Sequence, residues 1–139
     1  MHWPSLIYHP CYSELALPAN HRYPIGKYRS LYQQLLALGV PESGFLQPAP
    51  VTAAALSTLH DPAYVEALCQ GTLDSKAMRR IGFPWSEQLI KRSLTSLGGT
   101  LLCAEQALQH GLALHLSGGY HHAFAGEGSG FCLFNDLAV

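Results

Sequence analysis

The hydrophobic positions of this 139-residue chain fall into blocks whose spacing alternates between strand-like runs and helix-like stripes. Leu6 to Tyr8 is a short apolar run that predicts the opening strand of a sheet. A loop rich in turn residues follows from Pro10 to Pro24 and carries His9, His21 and Arg22. Between Ile25 and Leu38, Tyr28, Leu31, Leu35 and Leu38 recur at three- and four-residue steps, which predicts an amphipathic helix. Gly39 and Val40-Pro41 stop it. Beyond a proline-rich passage, Thr52 caps a short helix reaching about Leu59. Asp61-Pro62 then combines an N-cap with proline at the first helical position, predicting a helix to about Cys69 that ends at Gly71.

The longest stripe runs from Ser86 to His110 through Leu89, Ile90, Leu94, Leu97, Leu101, Leu102 and Leu108, with Gly111 at its end. Gly98-Gly99 in its middle costs about 1 kcal/mol of helix propensity per glycine. The pair predicts a close helix–sheet approach or a bend. Leu112 to Leu116 reads as a buried strand of a parallel sheet, cut off by Ser117-Gly118-Gly119. Phe131 to Phe134 is a weaker extended segment, after which Asn135 or Asp136 would cap a helix. The whole reads as one α/β unit, without repeat or linker.

Composition narrows the function classes. Hydrophobic residues make up 48% of the chain and charged residues 12%, against the usual quarter for soluble domains. Such a chain buries most of its faces or meets a partner surface. Eight Lys and Arg against nine Asp and Glu give a net charge of −1. Without a basic stripe there is no electrostatic source for nucleic-acid binding. No apolar run is long enough to span a bilayer, and the segment MHWPSLIYHPCYSE lacks a secretory pattern, so a cytoplasmic location is expected. Cys11, Cys69, Cys103 and Cys132 are scattered without a C-x-x-C pair, which predicts reduced and mostly buried thiols.

The candidate chemistry lies just past the predicted strand, where open parallel sheets bind ligands. Here His121 and His122 stand side by side. Neighbouring side chains diverge in a regular strand, so both serve one site only if the backbone is irregular. Gly118, Gly119, Gly126, Gly128 and Gly130 favour such a loop. Neutral imidazoles, with a pKa of about 6.5, can take and return a proton at neutral pH. Taken alone, the pair is equally compatible with a surface loop in a chain that has eight histidines.

The surrounding pattern decides. G-G-x-H-H-A, followed in the same loop by G-F-C-x-F-N-D, resembles the signature of the histone deacetylase family, zinc-dependent amide hydrolases of the arginase/deacetylase fold. The runs His21-Arg22-Tyr23-Pro24-Ile25-Gly26-Lys27-Tyr28 and Leu59-His60-Asp61-Pro62-Ala63-Tyr64-Val65 resemble further blocks of the same family, in the same order. The resemblance implies a three-layer arginase/deacetylase-like α/β fold with a parallel sheet. Residues 1–139 would be the N-terminal portion of a single domain, truncated after the tandem-histidine loop.

The resemblance also implies roles. His121 and His122 match the catalytic pair that activates the attacking water and protonates the leaving amine, with base and acid not distinguished. Phe131 matches an aromatic wall around the substrate's methylenes, and the Gly130 carbonyl an acceptor for the substrate amide N–H. Arg22 matches an arginine of an internal channel below the metal. Cys132 follows the motif as a packing residue. Tyr120, His115 and His60 receive no role, the two histidines being expected to be buried and hydrogen-bonded.

The implied cofactor is Zn2+, but the family's Asp-x-His pair and further Asp fall after Val139. No metal ligand is therefore assigned in this chain, Asp136 included, and the isolated chain is expected to be inactive. The implied substrates are acylated lysine or a small acyl-amine. Peptide-directed members often carry an acidic residue in the loop before the long helix, and Ile81 to Trp85 has none, which keeps small substrates such as acylated polyamines in view. The alternative is a non-catalytic binding or interaction module, or a fragment completed by self-association or by a complementary chain.

Overall fold

A computed structural model describes residues 3–139; Met1 and His2, part of the segment read as non-secretory, lie outside the described residues. Strand β1 (Ser5–Ile7) is the centre of a three-stranded parallel sheet, flanked by β2 (Phe45–Leu46) and β3 (Ala113–His115) in the order β2-β1-β3. Leu6 is aligned with Phe45 on one side and Leu114 on the other. Leu6 and Ile7 are fully buried, as a strand covered on both faces requires.

Five helices connect and cover the sheet: α1 (Lys27–Ala37), α2 (Ala53–Leu56), α3 (Pro62–Gln70), α4 (Ser75–Ile81) and α5 (Glu87–His110). The caps of α2, α3 and α5 follow the sequence signals, and α4 is capped in the same way. The side chains of Thr52, Asp61, Asp74 and Ser86 accept hydrogen bonds from the first-turn N–H groups of α2, α3, α4 and α5. Helix α1 begins two residues later than its stripe suggested, and α2 stops at Leu56 rather than Leu59. Two elements had no sequence expectation. The β2 strand is two residues long and lies just before Gln47-Pro48, and α4 is a seven-residue helix marked only by its Asp74 cap and Gly82 stop. Among the described residues, no helix is long and apolar enough to cross a membrane.

The N-terminal half of α5 is buried nearly all round, from Leu89 to Gly99. It lies against β1 and β3 on one side and the Ala49–Pro50 loop on another. Val51 N–H reaches the Leu94 carbonyl at 3.1 Å, and a Cβ at Gly98 would lie 3.0 Å from the Ala49 carbonyl carbon and nearer still to its oxygen. The glycine pair therefore marks a close approach to a loop as well as to the sheet: Gly99 faces Tyr12 and His115. Helix α5 runs through the pair without interruption.

Three further expectations change. The β3 strand was read as buried, yet Leu112 and Leu114 are 57% and 49% exposed, because among the described residues β3 has one hydrogen-bonded neighbour. Phe131 to Phe134 is a tight turn rather than an extended segment: Phe131 takes φ +67° and Ser129 bridges back to Cys132. Asp136 caps no helix; it is buried and accepts hydrogen bonds from elsewhere. All four cysteines are free, Cys11 and Cys132 being buried.

Candidate active site

The loop carrying His121 and His122 leaves β3 at Leu116, and the chain reverses through Gly118 and Gly119, with φ of +101° and +78°. Such angles favour glycine, and a Cβ at Gly118 would also lie 2.8 Å from the Asp136 carboxylate. That carboxylate organises the turn. It accepts the Gly119 N–H at 3.0 Å, the Tyr120 N–H at 2.7 Å and the Thr100 hydroxyl at 2.6 Å. The next two side chains project into solvent, and their rings lie together, centroids 4.1 Å apart.

The tautomer of His121 follows from its partner. Its Nδ1 lies 2.9 Å from the Gly119 carbonyl oxygen. A carbonyl only accepts, so Nδ1 carries the proton and Nε2 presents a lone pair. His122 is fixed through its backbone, whose carbonyl accepts the Ser129 hydroxyl at 2.7 Å. Its ring faces Gly130, where a Cβ would come within 3.4 Å of it. The irregular loop thus gathers His121, His122 and Gly130 in one place.

Phe131 follows in a left-handed conformation held by its N–H to the Ile81 carbonyl at 2.7 Å, while the Gly130 N–H reaches the Arg80 carbonyl at 3.2 Å. The Phe131 ring packs among Tyr23, Phe83 and His21, centroids 5.1, 5.2 and 5.9 Å away. It is half-buried, so one part of the ring remains available to a ligand. The Gly130 carbonyl accepts the Cys132 thiol at 3.6 Å, a weak contact that leaves a lone pair free.

Arg22 is not in the interior. It is exposed, at a surface pocket that it shares with Gly130 and Phe131. Its neighbours in the chain, His21 and Tyr23, take the inward positions: His21 donates from Nε2 to the Gly82 carbonyl at 2.8 Å, and the Tyr23 side chain is buried. The buried guanidinium beneath the loop belongs to Arg92 of α5, 2% exposed. It donates to the Tyr12 carbonyl at 2.8 Å and to the Tyr23 and Tyr120 hydroxyls at 3.2 Å each. The faces of Tyr23 and Tyr28 lie 5.5 and 5.1 Å from it.

Arg92 has no carboxylate partner among the described residues, where the one ion pair is Arg80 with Glu127. Phenols surround it instead: Tyr23 and Tyr28 are hydrogen-bonded to each other, and Tyr28 reaches Tyr120 at 3.3 Å. Burial works against ionising Tyr120, but the adjacent guanidinium and hydrogen bonds from Ser117, Tyr28 and Tyr23 outweigh it and hold this phenol below its ordinary value. Burial pushes Tyr23 and Tyr28 the other way. Tyr120 and Arg92 are the site-supporting residues that sequence reasoning left without a role. The position of Arg92 three residues after Leu89, on the apolar stripe of α5, was the available signal.

His115 and His60 are hydrogen-bonded supports, as expected. The Tyr12 hydroxyl donates to His115 Nε2 at 2.8 Å, and Nδ1 faces Thr100 at 3.2 Å, which in turn donates to Asp136. Burial, opposed by Asp136, pushes His115 down to about 4, so it is neutral at pH 7. His60, 2% exposed, bridges the Ala125 carbonyl and the Asn135 N–H.

The family model for the histone deacetylase domain matches residues 21–139. The chain belongs to the histone deacetylase family. It is 52% identical over 136 residues to an uncharacterized protein of Picosynechococcus sp., covering 96% of this chain and 45% of that protein. It is 30% identical over 116 residues to the acetoin utilization protein AcuC of Staphylococcus xylosus, covering 76% of this chain and 30% of that one. A crystal structure of an HDAC homolog complexed with SAHA superposes with a TM-score of 0.74 at 22% identity, covering 97% of this chain and 39% of that one. The architecture is accordingly the α/β deacetylase fold, with its parallel sheet as expected. The chain spans less than half the length of the relatives it matches.

Family members use zinc. Among the described residues, no three His, Cys, Asp or Glu side chains gather as a metal-binding group. Of the two carboxylates in the loop, Glu127 is paired with Arg80, and Asp136 is engaged by three donors and faces inward. Catalytic zinc requires about three protein ligands. The residues present do not fit a zinc centre on their own.

Proposed function

We propose that this chain carries the acid–base and substrate-sheathing elements of a deacetylase-type amide hydrolase acting on acyl-lysine or a related small acyl-amine. The observation that carries the proposal is the meeting of His121, His122 and Gly130 on one pinned loop, with His121 Nε2 free to accept a proton. In this reading one imidazole takes the proton of an attacking water and the other returns a proton to the departing amine. The Gly130 carbonyl accepts the substrate amide N–H. Phe131 covers the methylenes, whose desolvation contributes about 0.8 kcal/mol per CH₂. Arg22 meets the substrate at the pocket mouth.

Zinc would supply a polarised water and carbonyl, with donors beyond those described. We therefore propose that the chain does not hydrolyse amides by itself and works in the cytoplasm within a larger assembly, supplied by a complementary chain or by self-association. Leu108 at the end of α5, Leu112 just after it and Leu114 on β3, 89%, 57% and 49% exposed, support that reading. So does the open edge of β3, which offers a strand's worth of unpaired backbone.

The test uses two proteins. The purified chain, supplied with Zn2+ and an Nε-acetyl-lysine peptide or an N-acetylated polyamine, is expected to show no turnover. Where the Picosynechococcus relative itself hydrolyses either amide, the same 139 residues placed in it, in exchange for its matching segment, are expected to retain the activity. Robust turnover by the chain alone overturns the requirement for an assembly. An inactive graft beside an active parent overturns the enzymatic role.

A further inference from the structure

The surface beside Gly130 and Phe131 is strongly cationic. A pocket of about 400 Å³ opens beside Gly130 and Phe131, and its wall carries Arg22, Arg79, Arg80 and His21. All three guanidiniums are exposed. Arg80 is paired with Glu127, the one ion pair among the described residues, so Arg22 and Arg79 face the pocket without a carboxylate. This arrangement is built by two elements. Helix α4 ends at Ile81, which places Arg79 and Arg80 in its last turn, and the carbonyls of Arg80 and Ile81 hold the N–H groups of Gly130 and Phe131. The loop before α1 brings Arg22 across from them, anchored by the His21 bond to Gly82. The arginines are therefore tied to the same backbone that presents the substrate-binding candidates.

We propose that this pocket selects acyl-amine substrates bearing a carboxylate close to the scissile amide, with Arg22 and Arg79 as its recognition residues. The inference rests on the amide-hydrolase reading of the same loop and deepens it by naming the substrate class. Guanidinium–carboxylate contacts are charge-assisted and directional, and a cleft with one sign of charge raises the local concentration of the opposite one. The same field repels a protonated polyamine, which leaves acylated polyamines as poor ligands. A carboxylate could sit on the amine side, as in free Nε-acetyl-lysine, or on the acyl side, as in an Nε-succinyl group.

The experiment is a titration of the ¹⁵N-labelled chain, following the Gly130 and Phe131 amide signals. The probes are free Nα-blocked Nε-acetyl-lysine, its C-terminal amide, the Nε-succinyl-lysine amide, and N-acetylputrescine. One or both carboxylate probes are expected to bind about tenfold more tightly than the neutral amide, and the stronger of the two identifies the side on which the carboxylate sits. Acetylputrescine is expected to bind no better than the neutral amide. The exposed substitutions Arg22→Glu and Arg79→Glu, made together, should abolish the carboxylate preference, so that each carboxylate probe binds no better than the neutral amide. Equal binding of all probes, tighter binding of acetylputrescine, or a carboxylate preference that survives the double substitution overturns the inference while the amide-hydrolase reading stands. If no probe moves the Gly130 and Phe131 signals, that reading falls, and the inference with it.

Discussion

Substituting Gly98 by alanine sets two effects of opposite sign against each other. On propensity alone, Gly98→Ala inside α5 should stabilise the helix by about 1 kcal/mol. The structure puts the new methyl against backbone instead. Its carbon would lie 3.0 Å from the Ala49 carbonyl carbon, with the oxygen nearer still, where ordinary carbon–carbon contacts are about 3.5–4.0 Å. Neither partner is the end of a flexible side chain, and the Val51–Leu94 hydrogen bond ties the loop to the helix. Relief requires moving the loop or tilting α5 by roughly an ångström or more, at the upper end of the about 1–3 kcal/mol typical of overpacking. The net expectation is destabilisation of about 2 kcal/mol, a fall in Tm of roughly 6–10 °C for a domain of this size. Urea unfolding of Gly98→Ala beside Gln109→Ala, an exposed position on the same helix expected to stay within about 0.5 kcal/mol of the parent, reads this out. A Gly98→Ala protein as stable as the parent, or more so, would show that α5 does not pack against the Ala49–Pro50 loop.

Other predictions concern the support beneath the histidines. Asp136→Ala removes the acceptor of two backbone N–H groups and the Thr100 hydroxyl; it should cost about 3 kcal/mol, with faster hydrogen exchange at Gly119 and Tyr120, and unchanged exchange there would contradict the pinning. His115, pushed down to about 4 by burial against Asp136's opposing pull, binds fewer protons folded than unfolded. Stability is therefore complete above the unfolded value of about 6.5 and lost as pH falls towards 4, by about 3 kcal/mol. Urea midpoints across that window should fall with pH, and His115→Gln should flatten the slope. Arg92→Met should raise the pH at which Tyr120 ionises, because the guanidinium is what holds that phenol down; an ultraviolet titration against Tyr120→Phe checks it.

Much of the fold was legible because its signals are local. The Thr52, Asp61 and Ser86 caps, the Gly71 and Gly111 stops and the long stripe of α5 each act over a few residues, and each element formed near its expected bounds. The α4 helix escaped because seven residues give too few turns for a stripe, and β2 because two residues have no period. The exposure of Leu114 depends on how many strands lie beside β3, which no local pattern encodes. In the site, the glycine-flanked histidines were visible by motif. The inward aim of Arg92 and the three donors converging on Asp136 depend on contacts between residues up to 80 apart in sequence, and Arg22 lies on the surface because His21 and Tyr23 occupy the inward positions beside it.

The central claim is that His121 and His122 move protons in amide hydrolysis. Its most direct measurement is kcat for Nε-acetyl-lysine peptide hydrolysis by the Picosynechococcus graft carrying His121→Ala or His122→Ala, with folding checked by circular dichroism. General acid–base catalysis by a positioned side chain is worth about 10²–10⁴-fold, so each substitution should lower kcat by at least about a hundredfold with KM little changed. Turnover within about threefold of the parent graft in both variants would contradict the assignment.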